Sequence, residues 1–445
     1  MNNHKRIKKQ KFHINKIKKR MRYLKRKNKR YHHVGGFKNK NYLSLEVYDF
    51  LKTVNFDNIS ITDRLPVRIS NGVLLISIPE VFSITNNPED TINILKKVFY
   101  YGCNENVKKL VFSHMNCKEL EIAASTIMDS IVMACKSYRK SMGDELFISG
   151  DLPKDAKARK ILIASGLPAH LNLQDKLLTR QDNMRLFSLV AGKSGTGRSG
   201  EVSTQLTDYI NRCLITQEYK LTDTGLNMIS RMFSEVIDNC ELHGGDNSTW
   251  YALGHFNMIE KGFGEENLVI FNYGNSIYQQ LISNETTIET REKIEYMKKC
   301  HQNQYDMNWN EETMLTVFSL QQGVSRLRDQ NIEGNRKRGT GTAIMLDTFY
   351  TLGGSIRNMS PEFSITSGHA HILFDQKYKI KDEILNAPIF GSGKRKVIAF
   401  NTDNDLFQKA DNKNVTLMKQ NFPGTIISMK FYIDHEYLQS LTEGK

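Results

Sequence analysis

Apolar residues in the first half of the chain alternate between short continuous runs and segments with helical spacing. Runs at Val73–Ile78, Leu110–Phe112 and Leu146–Ile148 are typical of buried strands. Between them, Thr91–Tyr101 and Leu120–Tyr138 carry Ala, Met, Ile and Leu at intervals of three and four residues, which predicts helices. Strands that alternate with helices predict an α/β layer around one core.

The second half continues with a helix pattern and then further strands. Met228–Gly245 repeats apolar residues at helical spacing and ends at a glycine pair, which predicts an amphipathic helix. Another helix is predicted for the apolar segment AIMLDTFYTL, residues 343–352. The predicted strands are Thr249–Phe256, Leu268–Asn272, His369–Phe374, Val397–Ala399 and Thr425–Tyr432.

A Gly/Ser-rich stretch, AGKSGTGRSGE, lies between the two halves. Gly192, Lys193 and Ser194 suggest a P-loop, but Phe187 occupies the position where that motif needs its first glycine. A flexible linker is the favoured interpretation. The chain is therefore divided into four parts, which are a basic tail at 1–40, an α/β domain at 41–190, a linker at 191–204 and a second domain at 205–445.

Positive charge is concentrated at the start of the chain. The protein has 445 residues and a formal net charge of +14, but residues 1–40 contain 17 Lys or Arg and no Asp or Glu. The rest of the chain carries 45 basic and 48 acidic residues. Repulsion between like charges predicts a tail that is disordered when free, and the expected partner is the phosphate backbone of DNA or RNA. A nuclear-import signal and a solvated extension without a partner are the alternatives.

Composition also bears on compartment and on metals. No run approaches the roughly 18 apolar residues of a membrane helix, and no secretory signal is visible, so we expect a cytoplasmic protein without a membrane partner. None of the six cysteines forms a CxxC pair or a zinc-like cluster, which predicts reduced and mostly buried thiols.

Three motifs in the second half carry candidate chemistry. In the first, Glu235, Asn239 and His243 are four residues apart and lie on one face of the predicted helix. A carboxylate there can polarise water, and an amide oxygen one turn later can bind Mg²⁺, a cation that prefers oxygen ligands. A polar stripe that faces solvent would have the same spacing.

The second and third motifs place glycines beside polar groups. LVIFNYGNSI is an apolar strand that ends at Asn272, where a side chain can face a flat base while Gly274 permits close approach; an ordinary turn is the alternative. RKRGTG, residues 336–341, leads directly into an apolar helix, and a helix amino terminus with nearby cations is typical of a phosphate site. A mobile linker or a nucleic-acid contact would also fit this third motif.

In this order the motifs resemble the N, G1 and G2 boxes of the GHKL (Bergerat) ATPases, over roughly residues 206–445. The resemblance implies that Glu235 activates water, that Asn239 binds Mg²⁺ and that ATP is the ligand. The positions that it implies for nucleotide binding are Asn239, His243, Asn272, Gly274, Ile277, Arg336, Arg338, Gly339, Thr340, Gly341, Thr342 and Thr425. The chain departs from the family pattern at Asn272, where an Asp is usual, and at Ser276, where the second glycine is usual.

The first domain is similar, more distantly, to STAS domains of the anti-sigma-antagonist kind. Its strand–helix order and the segment Asp151–Leu171 carry this resemblance, but the stretch FSHMNCKELEIAAS lacks the Asp-Ser pair of the phosphorylated members. A scaffold or dimerisation role, with a protein partner or a second copy, is therefore expected. Together the two resemblances imply an ATP-hydrolysing switch, and by analogy one that acts in a bacterial defence or stress-signalling module; the alternatives are a non-hydrolysing adaptor and an anti-sigma-type serine kinase.

Overall fold

Two sheets organise the protein into an amino-terminal lobe and a carboxy-terminal lobe. The computed structural model describes residues 68–166, 184–215, 219–243, 248–324, 341–352, 357, 359–375, 377–385, 387–437 and 439. Within them the fold is mixed α/β, with a four-stranded and a five-stranded sheet as the largest sheets. The basic tail and the Arg336–Thr340 part of the third motif lie outside the described residues.

The amino-terminal lobe alternates strands with helices. Its elements are β1 (Arg68–Ser70), β2 (Val73–Ser77), β3 (Val81–Phe82), α1 (Pro88–Gly102), β4 (Lys109–Ser113), β5 (Glu119–Leu120), α2 (Ile122–Ser141), β6 (Phe147–Gly150) and α3 (Ala156–Ser165). The main sheet has the order β1-β2-β4-β6, in which β2, β4 and β6 are parallel. Parallel neighbours need long crossovers, which α1 and α2 supply.

A hairpin starts this sheet. Ser70 pairs with Val73, so the loop consists of Asn71 and Gly72 alone, and both have positive φ angles of 52° and 76°. Asn-Gly is the preferred sequence for such two-residue turns because both residues adopt positive φ readily. The turn residues therefore set the antiparallel register of β1 on β2.

The strands of the carboxy-terminal lobe are β7 (Met184–Lys193), β8 (Thr249–Glu260), β9 (Phe263–Tyr273), β10 (Glu362–Phe374), β11 (Lys381–Glu383), β12 (Arg395–Val397) and β13 (Val415–Asp434). Five of them form an antiparallel sheet with the order β10-β13-β9-β8-β7, and β11 pairs with β12. Its helices are α4 (Ser199–Ile215), α5 (Asp223–His243), α6 (Ile277–Leu281), α7 (Ile288–His301), α8 (Glu311–Ser319), α9 (Gly341–Leu352) and the 3-10 helix Pro388–Phe390.

Both faces of the five-stranded sheet are covered. Leu268 and Ile270 of β9 belong to the core that includes α4, α5 and α9, and we call this side the helix face. Val269 and Phe271 belong to the core of the amino-terminal lobe, which covers the rear face. Because each strand is buried on both sides, β8 and β9 are apolar over long runs rather than alternating with polar residues.

Polar contacts also join the two lobes. Glu121, immediately before α2, accepts hydrogen bonds from Ser83 Oγ (2.7 Å), Thr85 N (2.9 Å) and Thr85 Oγ1 (2.8 Å) in its own lobe. It also accepts one from Ser428 Oγ in β13. Ser130 of α2 lies 2.7 Å from the Tyr273 hydroxyl at the end of β9. The lobes therefore share a polar interface as well as a hydrophobic core.

The strands and helices predicted from periodicity are confirmed in position, with longer bounds for β8, β9, β10 and β13, except the strand predicted at Val397–Ala399. There β12 ends at Val397, and residues 398–399 are not in a strand. The stretch predicted as a linker, 191–204, has a different structure. It forms the end of β7, a turn and the first turns of α4, so the five-stranded sheet already includes residues from Met184 onward. The glycines there serve packing and turns: Gly192 lies under the Trp250 ring, and Gly195 and Gly197 have positive φ angles.

The six cysteines lie within the described residues and form no disulfide bonds, as predicted; five are buried and Cys300 is half-buried. None of the described helices is both long enough and apolar enough to cross a membrane.

Candidate nucleotide site

A row of residues, most of them with polar side chains, crosses the helix face where β7 and β9 end and β8 begins. Each strand contributes one residue, and neighbours are directly opposite in the register: Gly192, Trp250, Asn272, Thr425 and Ser367, in the order β7, β8, β9, β13 and β10. Elsewhere this face consists mainly of apolar side chains such as Ile270 and Ile427. A polar row at the border of an apolar face is a typical setting for a ligand that has an apolar body and polar edges.

Two side chains in the row each bury a donor that has no hydrogen-bond acceptor among the described residues. Asn272 is 2% exposed and its Nδ2 has no acceptor; Trp250 is fully buried and its Nε1 has none either. Leaving a buried donor unpaired costs about 1–3 kcal/mol. Beside them, the Thr425 and Ser367 hydroxyls lie 2.8 Å apart, and Ser367 Oγ also accepts from Ile277 N (2.8 Å). The row thus holds both satisfied hydroxyls and unsatisfied donors.

Glycines allow the strands to meet closely at this end. A Cβ on Gly424 would lie 1.9 Å from the carbonyl oxygen of Asn272, and the φ of Gly424 is +137°. Gly274 has a φ of +149°, and its N–H donates to Pro423 O (3.0 Å). These contacts fix the carboxyl end of β9, and with it the Asn272 side chain, against β13.

The amino-terminal end of α9 and the carboxy-terminal end of α5 both point toward the polar row. Tyr219, shortly before α5, stacks on His435 just beyond β13, with ring centroids 3.8 Å apart, so α5 starts at the opposite end of the sheet. The Tyr437 hydroxyl donates to Thr351 O (3.3 Å), which places the last turn of α9 at that same opposite end. Since α5 and α9 pack against each other, the first turn of α9 lies beside the last turns of α5.

The three residues of the first motif lie on α5 as predicted. Glu235 and Asn239 are half-buried, and Asn239 is one turn closer than Glu235 to the polar row. His243 is the last residue of α5, and its side chain lies outside the described part. The i,i+4 spacing places Glu235 and Asn239 on the same face of the helix.

The third motif is described only in part. Gly341 and Thr342 form the start of α9, whereas Arg336, Arg338, Gly339 and Thr340 lie outside the described residues. The first amide groups of any helix lack partners within the helix and carry a partial positive charge. The end of α9 that faces the row is therefore the end suited to anions.

Ser276, the departure in the second motif, has a local structural role. It caps α6, where its Oγ accepts from Gln279 N (3.2 Å) while Gln279 Oε1 accepts from Ser276 N (2.9 Å). This capping box needs a side-chain oxygen, which glycine lacks. Ile277, the other predicted residue of this box, begins α6 and packs against the core of the helix face.

Within the described residues, His, Cys, Asp and Glu form no cluster of three or more that could bind a metal. A Mg²⁺ ion bound together with a triphosphate needs no such cluster, because phosphate and water oxygens complete its shell. The amide oxygen of Asn239 has the chemistry of a single protein ligand for that ion.

Sequence reasoning missed Trp250, Ser367 and Gly192 as members of the row, because only strand register brings them together. It also missed Glu241, whose carboxylate accepts from Gly197 N (2.5 Å), Ser199 N (3.1 Å) and Thr196 Oγ1 (3.2 Å). Glu241 thereby anchors the Gly/Ser turn to the last turns of α5. No signal in the sequence alone pairs Glu241 with a turn more than 40 residues away.

The chain was compared with protein-family models, curated proteins and solved structures, and no match was found in any of them. The functional interpretation therefore depends on the residues of the site itself.

Proposed function

We propose that the carboxy-terminal lobe is a GHKL-type (Bergerat) domain that binds ATP with Mg²⁺ and hydrolyses it, and that the STAS-like amino-terminal lobe responds to the nucleotide state. The observation that carries the proposal is the polar row from Trp250 to Ser367. It combines unpaired buried donors with hydroxyls at the place where α5 and α9 converge. We further propose that the protein acts in the cytoplasm.

Each part of the nucleotide has a matching group. Asn272 and Thr425 would contact the base, and the first turn of α9, with Gly341 and Thr342, would face the phosphates. The loop residues Arg336, Arg338, Gly339 and Thr340 would complete the phosphate contacts on this proposal. Gly274 and Ile277 hold the base end of the site through backbone contacts to Pro423 and Ser367.

On α5, Asn239 would hold Mg²⁺ through its amide oxygen, and His243 lies at the end of the same stripe. Bound Mg²⁺ would neutralise the phosphate charge. Glu235 would orient and deprotonate the attacking water, the task of a general base that is held one turn away from the metal ligand. Glu235 is half-buried on α5, which limits the movement of its side chain.

The arrangement of β9 supports a switch. Asn272 faces the helix side, and the next residue, Tyr273, faces the rear and contacts Ser130 of the amino-terminal lobe at 2.7 Å. A ligand that repositions the end of β9 would therefore act on both lobes at once. Such a ligand shifts the equilibrium only as far as it binds one arrangement better than the other.

A second activity is proposed for the tail. Its 17 Lys or Arg residues within the first 40, without a single acidic residue, suit a polyanion, so we propose that residues 1–40 bind the backbone of DNA or RNA. A further protein partner or a second copy of the chain would receive the output of the switch.

The test is a thermal-shift titration and a phosphate-release assay on the full chain with ATP and Mg²⁺. Binding should raise the melting temperature by mass action.

In Glu235→Ala we expect turnover to fall at least about a hundredfold while binding persists, since general-base catalysis contributes about 10²–10⁴-fold. In Asn239→Ala we expect the Mg²⁺-dependent part of the melting shift to disappear. Glu292→Ala, on an exposed face of α7, is the matched control for Glu235→Ala.

The outcomes separate the alternatives. Absence of any ATP-dependent melting shift in the parent protein would reject the nucleotide site. Binding without phosphate release in the parent would indicate the non-hydrolysing adaptor. Transfer of labelled phosphate to a protein partner would indicate a serine kinase of the anti-sigma type.

A further inference from the structure

The amide at Asn272 bears on which base the site accepts, an inference that rests on the proposed nucleotide site. Asn272 is buried, lies in the polar row and presents an Nδ2 donor that has no acceptor among the described residues. Its cross-strand neighbour Thr425 hydrogen-bonds with Ser367 (2.8 Å) and forms no hydrogen bond with Nδ2. The described residues therefore leave Nδ2 without an acceptor, and the edge of a bound base can supply one.

An amide and a carboxylate read a base edge differently. A carboxylate only accepts hydrogen bonds, whereas an amide donates through nitrogen and accepts through oxygen. Adenine presents the N6 amino donor next to the N1 and N7 acceptors. Guanine presents the O6 acceptor next to the N1–H donor. Each purine thus offers one donor beside one acceptor, and an amide can form two hydrogen bonds with either of them, as it does with adenine edges in nucleic acids.

We propose that Asn272 makes this a dual-purine site, which binds ATP and GTP with similar affinity. An acceptor-only side chain at the same place would pair with the N6 amine of adenine and repel O6 of guanine. The amide removes that repulsion, because it can turn its N–H toward O6. Either base in turn supplies an acceptor for the buried Nδ2 donor.

The experiment measures dissociation constants of ATP, GTP and purine riboside triphosphate for the full chain with Mg²⁺ at pH 8. We expect the constants for ATP and GTP to agree within about tenfold, which corresponds to 1.4 kcal/mol. Purine riboside triphosphate, which lacks the substituent at position 6, should bind more weakly than both. In Asn272→Asp, where a carboxylate would only accept hydrogen bonds, the preference for ATP over GTP should rise at least about tenfold. The exposed Asn412→Asp is the matched control and should leave the ratio unchanged.

Several results would overturn the proposal. A parent protein that prefers ATP over GTP by a hundredfold or more, while still binding ATP, would reject the dual-purine site and leave the proposed ATPase intact. An unchanged ratio in a folded Asn272→Asp would also reject it. If no purine nucleotide binds, the proposed function and this inference fail together. The ratio in the parent protein is decisive even if the Asp variant does not fold.

Discussion

Gly424 is the single residue on which the geometry of the polar row most depends. Its φ of +137° is unfavourable for any side chain, and a Cβ would lie 1.9 Å from the Asn272 carbonyl oxygen. Relief would require β13 to move away from β9 at the point where Thr425 stands opposite Asn272. A methyl group there therefore affects both stability and the site.

For Gly424→Ala we expect a loss of at least about 3 kcal/mol in the free energy of unfolding, since strain and a backbone collision act together. Urea denaturation measures the change. Gly393→Ala is the matched control, because a Cβ at Gly393 meets nothing within 4 Å, and it should change stability by less than about 0.5 kcal/mol. Equal stability of the two variants would contradict the tight contact between β9 and β13.

Some residues of the site could be identified from the sequence, and others could not. Asn272 and Thr425 could be selected because the order of motifs along the chain carries a resemblance. Trp250 could not, because its role comes from its pairing with Asn272 across β8 and β9, and pairing depends on register. The unpaired state of its indole N–H is a property of the packed structure alone.

Among the elements, the amino-terminal end of α2 joins the two lobes. Glu121 precedes the helix and accepts four hydrogen bonds, three from the amino-terminal lobe and one from Ser428 of β13. A carboxylate at a helix amino terminus is also favoured by the helix dipole. One side chain thus stabilises the start of α2 and the contact with the five-stranded sheet.

We expect Glu121→Ala to lower the free energy of unfolding by about 3 kcal/mol, because the Thr85 N–H and three hydroxyls lose a charged acceptor. Amide hydrogen exchange should in addition become faster in β13 around Ser428. Glu119→Ala removes a neighbouring carboxylate that is exposed and, among the described residues, accepts from Asn86 Nδ2 alone (2.6 Å), so it should cost less than about 1 kcal/mol. If both variants lost the same stability, Glu121 would have no special role between the lobes.

At the same scale, periodicity predicted which elements exist better than where they end. The prediction for β13 was Thr425–Tyr432, yet the strand runs from Val415 to Asp434. A Pro-Gly pair such as Pro423–Gly424 normally predicts that a strand ends. Here the pair lies where the pairing of β13 with β10 shifts register, a place that tolerates proline. The linker prediction failed for a related reason, since glycines that serve close packing and turns have the same composition as flexible ones.

For the whole molecule, the packing of the amino-terminal lobe on the five-stranded sheet explains why His255 and His371 are buried, while a third histidine, His114, is buried next to β4 within the amino-terminal lobe. Burial lowers the pKa of His114, His255 and His371 to about 4 in each case. His255 is 2% exposed on the rear face, where neither ring nitrogen has a hydrogen-bond partner among the described residues. Each ring is therefore neutral in the folded protein near pH 6.

This burial predicts acid sensitivity. Between pH 6.5 and 4 the unfolded chain binds protons at these three histidines while the folded chain does not, so the free energy of unfolding falls as the pH is lowered through that range. A shift from 6.5 to about 4 corresponds to about 3 kcal/mol per histidine. Urea titrations at pH 7 and pH 4.5 measure the loss, and His255→Gln should reduce the difference between the two pH values. A difference that stays the same in this variant would contradict a neutral buried His255.

The tail and the rest of the chain have net charges of opposite sign. Residues 41–445 carry three more acidic than basic residues, so attraction to a polyanion should come from residues 1–40. Binding to duplex DNA releases about 0.9 counterions per neutralised phosphate, and the plot of log K against log salt then has a slope of about −0.9 times the number of contacts. For six or more contacts we expect a slope steeper than about −5, measured by fluorescence anisotropy with duplexes of unrelated sequence.

Replacement of the tail's Lys and Arg residues by Gln should abolish this binding while the ATP-dependent melting shift is retained. Polyanion binding that survives the replacement would place the contact on the lobes, in spite of their net negative charge.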